Sequence, residues 1–270
     1  MLKTNNKEIN VLFFGDIFGD PGIEVVSRHI KDLKQKYKAD FVIAQAENVS
    51  GRKGFKPRDY KKLKEIGIDA FTLGNHVWAH SEIEEIIENN DVIRPANIND
   101  TYPGQGYREF IVKDQKIGVC SMMGIQFNIL LSPWKEEQAN SFFDEFDKIQ
   151  SMNQPDYLII DFHAETTSEK NVFGLYVDGK ADALFGTHTH VQTNDARILP
   201  NGTYYCTDAG MCGPYNSAIG ANYDEVYGKM RYNAKAPFRV SENKCQINGI
   251  YFKLTKDNQN KQIELIKIYE

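Results

Sequence analysis

The chain has 270 residues, 41% of them hydrophobic and 26% charged, the make-up of an ordinary soluble globular protein with room for a sizeable core. A formal net charge of −5 gives the surface no general attraction for nucleic acid or anionic membrane. No apolar run approaches the ~18 residues of a membrane span, and the polar stretch Met1 to Asn10 lacks a signal-peptide core, so a cytoplasmic location is expected.

Val11-Leu12-Phe13-Phe14 reads as a buried strand ending at Gly15-Asp16. Asp20 is placed to cap a helix with Pro21 at its first position, and Ile23, Val26, Ile30, Leu33 and Tyr37 follow at helical spacing. Phe41-Val42-Ile43-Ala44 is a second strand, ending near Glu47-Asn48. A helix then runs from Pro57 to a stop at Gly67. Ala70-Phe71-Thr72-Leu73 is a third strand, ending at Gly74-Asn75-His76, and Ser81 with Glu84 forms a capping box for a third helix. Residues 107 to 124 read as strands with a turn, and Ser141 to Met152 as a short helix. Tyr157-Leu158-Ile159-Ile160 ends in Asp161-Phe162-His163, and Ala183-Leu184-Phe185 ends in Gly186-Thr187-His188-Thr189-His190. Asn201-Gly202 marks a hairpin between 197–199 and 203–205, and alternation at Ile250, Phe252 and Leu254 opens a final pair of strands. No linker or repeat divides the chain, so residues 1–270 are expected to form one α/β domain with helices outside two packed sheets.

Each predicted strand of the first half delivers polar residues at its C-terminal end, the edge where open α/β sheets bind ligands. Four of the six histidines, His76, His163, His188 and His190, follow strand ends. Imidazoles mixed with the carboxylates of Asp16 and Glu47 and with amides suit divalent metals such as Zn, Mn, Fe or Ni. In an extended segment, His188 and His190 would share one side. Two ions at such a cluster can activate a hydroxide and clamp a phosphoryl group, with His76 free to act as the acid. Each motif alone has a plain explanation: a solvent-facing His-x-His, a Gly-Asn-His turn, an Asp16 that caps the next helix. Their repetition at separate strand ends is what favours a metal centre.

Gly15-Asp16, Gly74-Asn75-His76, His163 and Gly186-Thr187-His188-Thr189-His190 together resemble the ordered motifs of calcineurin-like metallophosphoesterases. The resemblance narrows to YmdB-like phosphodiesterases through the run Gly15 to Gly22, Glu47-Asn48, Gly74 to Trp78, Arg94 to Asn97, Asp161 to Lys170 and Gly186 to Thr193, extended by Thr207 to Met211 with Gly213-Pro214-Tyr215. It implies a four-layer α/β/β/α sandwich and a centre of two divalent or mixed-valence ions, with iron favoured and Mn, Zn or Mg as other occupants. Asp16, Asn48 and His190 would hold one ion, Asn75, His163 and His188 the other, with Glu47 bridging and His76 as catalytic acid. The implied reaction is hydrolysis of small phosphodiesters, including 2′,3′-cyclic AMP. Two departures from the wider superfamily stand out: its Asp-x-His is Asp16-Ile17-Phe18 here, and its Gly-Asp-x-x-Asp is replaced by Glu47-Asn48. A phosphomonoesterase or nucleotidase could use the same core, and a regulatory metal-binding protein acting through a partner is the reading from another class. RNA ends as substrate and a homo-oligomer stay open.

Other residues carry weaker signals. His29 reads as a mid-helix surface residue and His80 as a helix-start residue. Cys120, Cys206, Cys212 and Cys245 form no C-x-x-C pair and read as buried thiols. The basic run from Arg52 to Lys64 is either a solvated helix face or a guide for phosphates. The loop bearing Asp208, Tyr215 and Asn216 either shapes a pocket or only turns the chain.

Overall fold

The computed structural model describes residues 8–270, so most of the polar N-terminal stretch, residues 1–7, lies outside the described residues. In chain order the elements are β1 (Ile9–Phe14), β2 (Asp16–Ile17), α1 (Gly19–Tyr37), β3 (Phe41–Gln45), α2 (Pro57–Glu65), β4 (Ala70–Thr72) and β5 (Val92–Ile93). There follow β6 (Tyr107–Val112), β7 (Gln115–Met123), α3 (Phe142–Met152), β8 (Tyr157–His163), α4 (Thr167–Val177) and β9 (Ala183–Thr187). The last are β10 (Arg197–Ile198), β11 (Tyr204–Cys206), β12 (Met211–Pro214), α5 (Tyr223–Tyr232), β13 (Cys245–Leu254) and β14 (Ile263–Tyr269).

The strands form two sheets. One runs β2-β12-β13-β1-β3-β4-β5, with β14 also on β13; the other runs β10-β11-β9-β8-β7-β6. β1, β3, β4 and β5 are parallel neighbours in the first, and β7, β8, β9 and β11 in the second. Three apolar clusters give four layers. Ile23, Val26 and Ile30 of α1 and Leu63 of α2 pack on Leu12, Phe14 and Val42 of the first sheet. Phe13, Ile43 and Phe252 meet Ile159 and Phe185 between the sheets. Phe146 of α3 and Phe173 of α4 cover Phe162 and Leu184 on the far side of the second sheet. Strand alternation accounts for this sorting: Phe13 faces the inter-sheet layer while Leu12 and Phe14 face the helices.

Several local expectations need correction. α1 starts one residue before Asp20, with Phe18 in the cap position and no side-chain cap, so Asp20 and Pro21 lie inside the first turn. The Ser81/Glu84 box caps no α-helix: Ser81–Glu85 is a single 3₁₀ turn without a side-chain cap bond. Three β-branched isoleucines, Ile83, Ile86 and Ile87, followed closely by Asn89 and Asn90, give that stretch little to propagate a helix with. Two helices, α4 and α5, are additions to the sequence reading. The first carried a usable signal in its Thr-x-x-Glu start: Thr166 caps α4 by accepting from the Glu169 amide, and its hydroxyl donates to the Glu169 carboxylate.

The Phe13 and Phe252 rings lie 5.3 and 4.9 Å from that of Phe185, and all three are fully buried. Phe185→Ala is therefore expected to cost about 3–5 kcal/mol in urea denaturation. Ile111→Ala, at a 71% exposed position, is expected to stay within about 0.5 kcal/mol.

Candidate metal centre

The polar strand ends meet at one edge of the two sheets. The geometry centres on His163, at the end of β8 and fully buried. Its Nε2 lies 3.0 Å from Glu47 Oε1, 3.1 Å from Asn75 Oδ1 and 3.0 Å from His188 Nδ1. A ring nitrogen carries at most one proton, which can serve only one of these three electron-rich atoms. A cation at their meeting point satisfies all of them, so the donor set fits a metal ion. Glu47, His163 and His188 alone already form a cluster with metal-holding spacing. Gly74 leaves the space for it: a Cβ there would stand 2.2 Å from His163 Cδ2 and 2.6 Å from Glu47 Oε2.

A second group adjoins the first. Asp16 is fully buried, and its Oδ1 lies 3.6 Å from His190 Nε2 and 3.3 Å from Asn48 Nδ2. Asn48 Nδ2 also faces Glu47 Oε1 at 3.3 Å and His190 Nε2 at 3.2 Å. In this orientation Asn48 turns its nitrogen toward the acids and its Oδ1 toward His76 Nδ1, 3.0 Å away. Binding a cation through oxygen would need that amide turned over. Glu47 is held at both ends by His76, whose backbone N–H donates to Oε2 at 2.8 Å and whose Nδ1 lies 3.0 Å from Oε1.

The charges respond to this crowding. Burial pushes the Glu47 carboxyl up, but His163 and His76 outweigh it and hold it well below the usual range. Burial likewise opposes charge on His163, yet Glu47, Asp16 and Asp161 raise it to about 9. Burial and the neighbouring His163 charge push His188 down to about 3. One positive charge is thus demanded at the centre and a second on His188 is refused.

His188 and His190 reach the site by a different route from the one expected. They do not lie on an extended strand: both have positive φ, 97° and 64°, a conformation that costs a residue with a Cβ of order 1–3 kcal/mol and so needs outside support. Asp208 supplies it. Its Oδ2 accepts from Thr189 N at 3.3 Å, Thr189 Oγ1 at 2.8 Å and Lys170 Nζ at 2.6 Å, and its Oδ1 from Gly210 N at 2.8 Å. The Lys170–Asp208 pair is almost wholly buried. Asp208 therefore braces the histidine loop, a role outside the two expected for its own loop, while Tyr215 donates to the backbone carbonyl of Glu270.

Other supporting groups lie in motifs quoted from the sequence but have no role assigned there. Glu165 Oε2 lies 3.0 Å from His188 Nε2 and could orient that ring. Thr187 Oγ1 lies 2.9 Å from His163 Nδ1 and donates to Asp161, whose carboxyl burial raises to about 7. Glu165 sits two residues after His163, and Asp161 two before it; period-two spacing from a proposed ligand was the available signal. His29 bonds Glu270 and His80 occupies the cap of the 3₁₀ turn, both away from the cluster. The four cysteines are free and buried, and burial raises the Cys212 thiol to about 12, a poor nucleophile. Most of the basic run is paired: Lys56 with Glu82, Arg58 with Asp59, Lys62 with Asp20 and Lys64 with Asp91. Only its first two members, Arg52 and Lys53, line the cavity above the cluster, which measures about 600 Å³.

Comparison with known proteins agrees with this site. The family model described as YmdB-like protein matches residues 12–266. The chain belongs to the YmdB-like family. It is 38% identical to the 2′,3′-cyclic-nucleotide 2′-phosphodiesterase of Bacillus subtilis over 94% of each chain. A crystal structure titled as a novel phosphatase from Mycoplasma pneumoniae superposes with a TM-score of 0.89 at 36% identity, covering 98% of this chain and 94% of that one. A hypothetical protein from Thermus thermophilus also gives 0.89, at 34% identity, over 97% of this chain and all of the other. The α/β/β/α sandwich is that of the calcineurin-like metallophosphoesterases, and membership of this family implies divalent metal ions. Among the described residues, no helix is long and apolar enough to cross a membrane.

Two substitutions probe this architecture. Gly74→Ala should cut bound metal, counted by elemental analysis, severalfold or more, because its methyl occupies the space beside His163 and Glu47. Lys170→Met leaves Asp208 charged, buried and unpaired, so thermal or urea unfolding should show about 3–5 kcal/mol lost.

Proposed function

We propose that this YmdB-like protein is a phosphodiesterase that cleaves 2′,3′-cyclic nucleotides, using two metal ions held by Asp16, Glu47, Asn48, Asn75, His163, His188 and His190. That it is a hydrolytic phosphoesterase follows from its family; the substrate, the ligand set and the ion count are the proposal. The observation that carries it is the convergence of Glu47, Asn75 and His188 on one nitrogen of His163, about 3 Å from each, at the floor of a cavity large enough for a nucleotide. Iron is the favoured ion, with Mn, Zn or Mg as alternatives; imidazole beside carboxylate and amide oxygen suits them in different degrees. When bound, such ions supply a nucleophile at neutral pH and offset charge on the phosphoryl oxygens.

The protein's own groups do the rest. Glu47, anchored by the His76 amide and ring, keeps negative charge at the floor. His188 is oriented by Glu165 and stays neutral, so its lone pair is available to a ligand. His76 lines the cavity with Nδ1 engaged by Glu47 and Asn48, which leaves Nε2 to the substrate. In its doubly protonated form it hands the Nε2 proton to the departing 2′-oxygen as water adds to phosphorus, giving the nucleoside 3′-phosphate. The reading treats 1–270 as one metallophosphoesterase domain working in the cytoplasm on small phosphodiesters.

The test uses protein purified without oxygen, with metal counted and turnover measured on 2′,3′-cyclic AMP, bis-p-nitrophenyl phosphate and a phosphomonoester. About two ions per chain and preference for the diesters are expected. His188→Ala should lose metal and turnover together, and His76→Ala should keep its metal while kcat falls about 10²–10⁴-fold. A stronger activity on the monoester would replace this reading with a phosphatase, the word used for the M. pneumoniae relative.

A further inference from the structure

The cavity has a second wall that the chemistry above does not use. Residues 218–241 leave the sheet after β12 and return through two isolated bridges, Ala218 with Ala221 and Ala221 with Val240. At the base of this excursion Asn222 N donates to Arg239 O and Ser241 N to Gly220 O, each at 2.9 Å. Glu225 adds one more tie, accepting from the Arg239 backbone at 2.8 Å and from its guanidinium. The helix it carries, α5, buries no residue. A helix that buries no residue gives no packing reason of its own for apolar side chains on the side of the cavity. Yet Val226, Met230 and Phe238 line the cavity, with Ile219 and Phe18 beside them. The Arg52 guanidinium sits over the Phe238 ring, 5.3 Å from its centroid, and Lys53 lines the same space.

We propose that this arm is the base subsite of the enzyme: it takes the aromatic base of a cyclic mononucleotide against Phe238, while Arg52 and Lys53 supply positive charge for the phosphate. The inference rests on the phosphodiesterase reading and adds to it what the substrate must carry. An apolar wall joined to a polar catalytic floor matches a ligand that is aromatic at one end and anionic at the other. The volume of about 600 Å³ falls inside the ~300–1,000 Å³ of small-molecule sites, which suits one nucleotide. Stacking tolerates any base because every base has a π face, so the arm should separate nucleotides from baseless diesters more than one base from another.

The experiment compares 2′,3′-cyclic AMP with methyl riboside 2′,3′-cyclic phosphate, which keeps the ribose and the diester and replaces the base by methoxy. The metal-loaded full chain is used, unaltered and as Phe238→Ala, Phe238→Tyr and Val226→Asp. The unaltered enzyme should prefer the nucleotide. Phe238→Ala should lower that preference in kcat/KM about tenfold, mainly through KM, Val226→Asp should lower it as well, and Phe238→Tyr should restore most of it. Calorimetric titration with adenosine 3′-phosphate should show the same order of affinities. Phe238 belongs to none of the core clusters, and unchanged melting temperatures would show that the variants fold. An unchanged preference in both Phe238→Ala and Val226→Asp, or an equal loss on the two substrates, overturns the base subsite. Turnover with no base preference overturns the subsite alone. Absence of turnover on either diester by the unaltered enzyme overturns the phosphodiesterase reading, and the titration then still decides whether Phe238 holds a base.

Discussion

A buried carboxylate surrounded by imidazoles sets the terms for this protein. Glu47 is 1% exposed and has His76 on both oxygens and His163 on one. An isolated charge in such a place would be expensive, and only a nearby positive charge makes it tolerable. The fold answers by bringing β3, β4, β8 and β9 to one edge, so that Asn75, His163 and His188 arrive from different strands around the same point. A proton on His163 meets the demand in part; a metal ion meets it with every donor engaged. His188 is kept neutral against that demand: burial opposes its charge, and a second imidazolium beside His163 would repel the first.

Precision at that edge comes from polar groups that stand behind the centre. Asp208, neutralised by Lys170, holds the loop that puts His188 and His190 into left-handed backbone conformations. Asp161 and Thr187 fix the far nitrogen of His163, and the Trp134 indole donates to the Asn75 carbonyl at 2.7 Å. These partners hold the His163 ring and the Asn75 backbone in place, which is the usual way a protein tunes donors it cannot otherwise stiffen. Strain at two histidines is tolerated because a fully buried ion pair stands behind it.

Much of the fold was legible because parallel strands buried on both faces read as unbroken apolar runs. Phe13, Ile43, Ile159 and Phe185 all sit where those runs imply, between the sheets. The candidate site was legible for a related reason: each run ended in its polar residues, and the topology put those ends together. What remained hidden depended on contacts far apart in the chain. The support of Thr189 by Asp208 spans nineteen residues and that of Asp208 by Lys170 thirty-eight, and no local pattern announces either. The positive φ of His188 and His190 is equally silent, since strand alternation gives the same convergence by a simpler path. α5 escaped notice because a helix that buries no residue has no reason to show a full apolar stripe.

Phe18 ties the two halves of the molecule's chemistry together. It stands where the wider superfamily resembled by this chain has a histidine ligand, and its ring meets that of His190 edge-on, 5.4 Å between centroids. It also closes on the base of the arm, where a Cβ on Gly220 would come within 2.5 Å of the Phe18 ring. His190 Nδ1 lies 2.8 Å from the Ile219 carbonyl of that same base. Phe18 is thus an apolar contact that joins His190 to the arm, so that the apolar wall of the cavity and the His190 ring beside it are positioned by the same few residues. A histidine restored at position 18 would add a donor but would set a polar ring against Gly220 and the apolar wall. Phe18 therefore couples the position of His190 to that of the arm through packing alone.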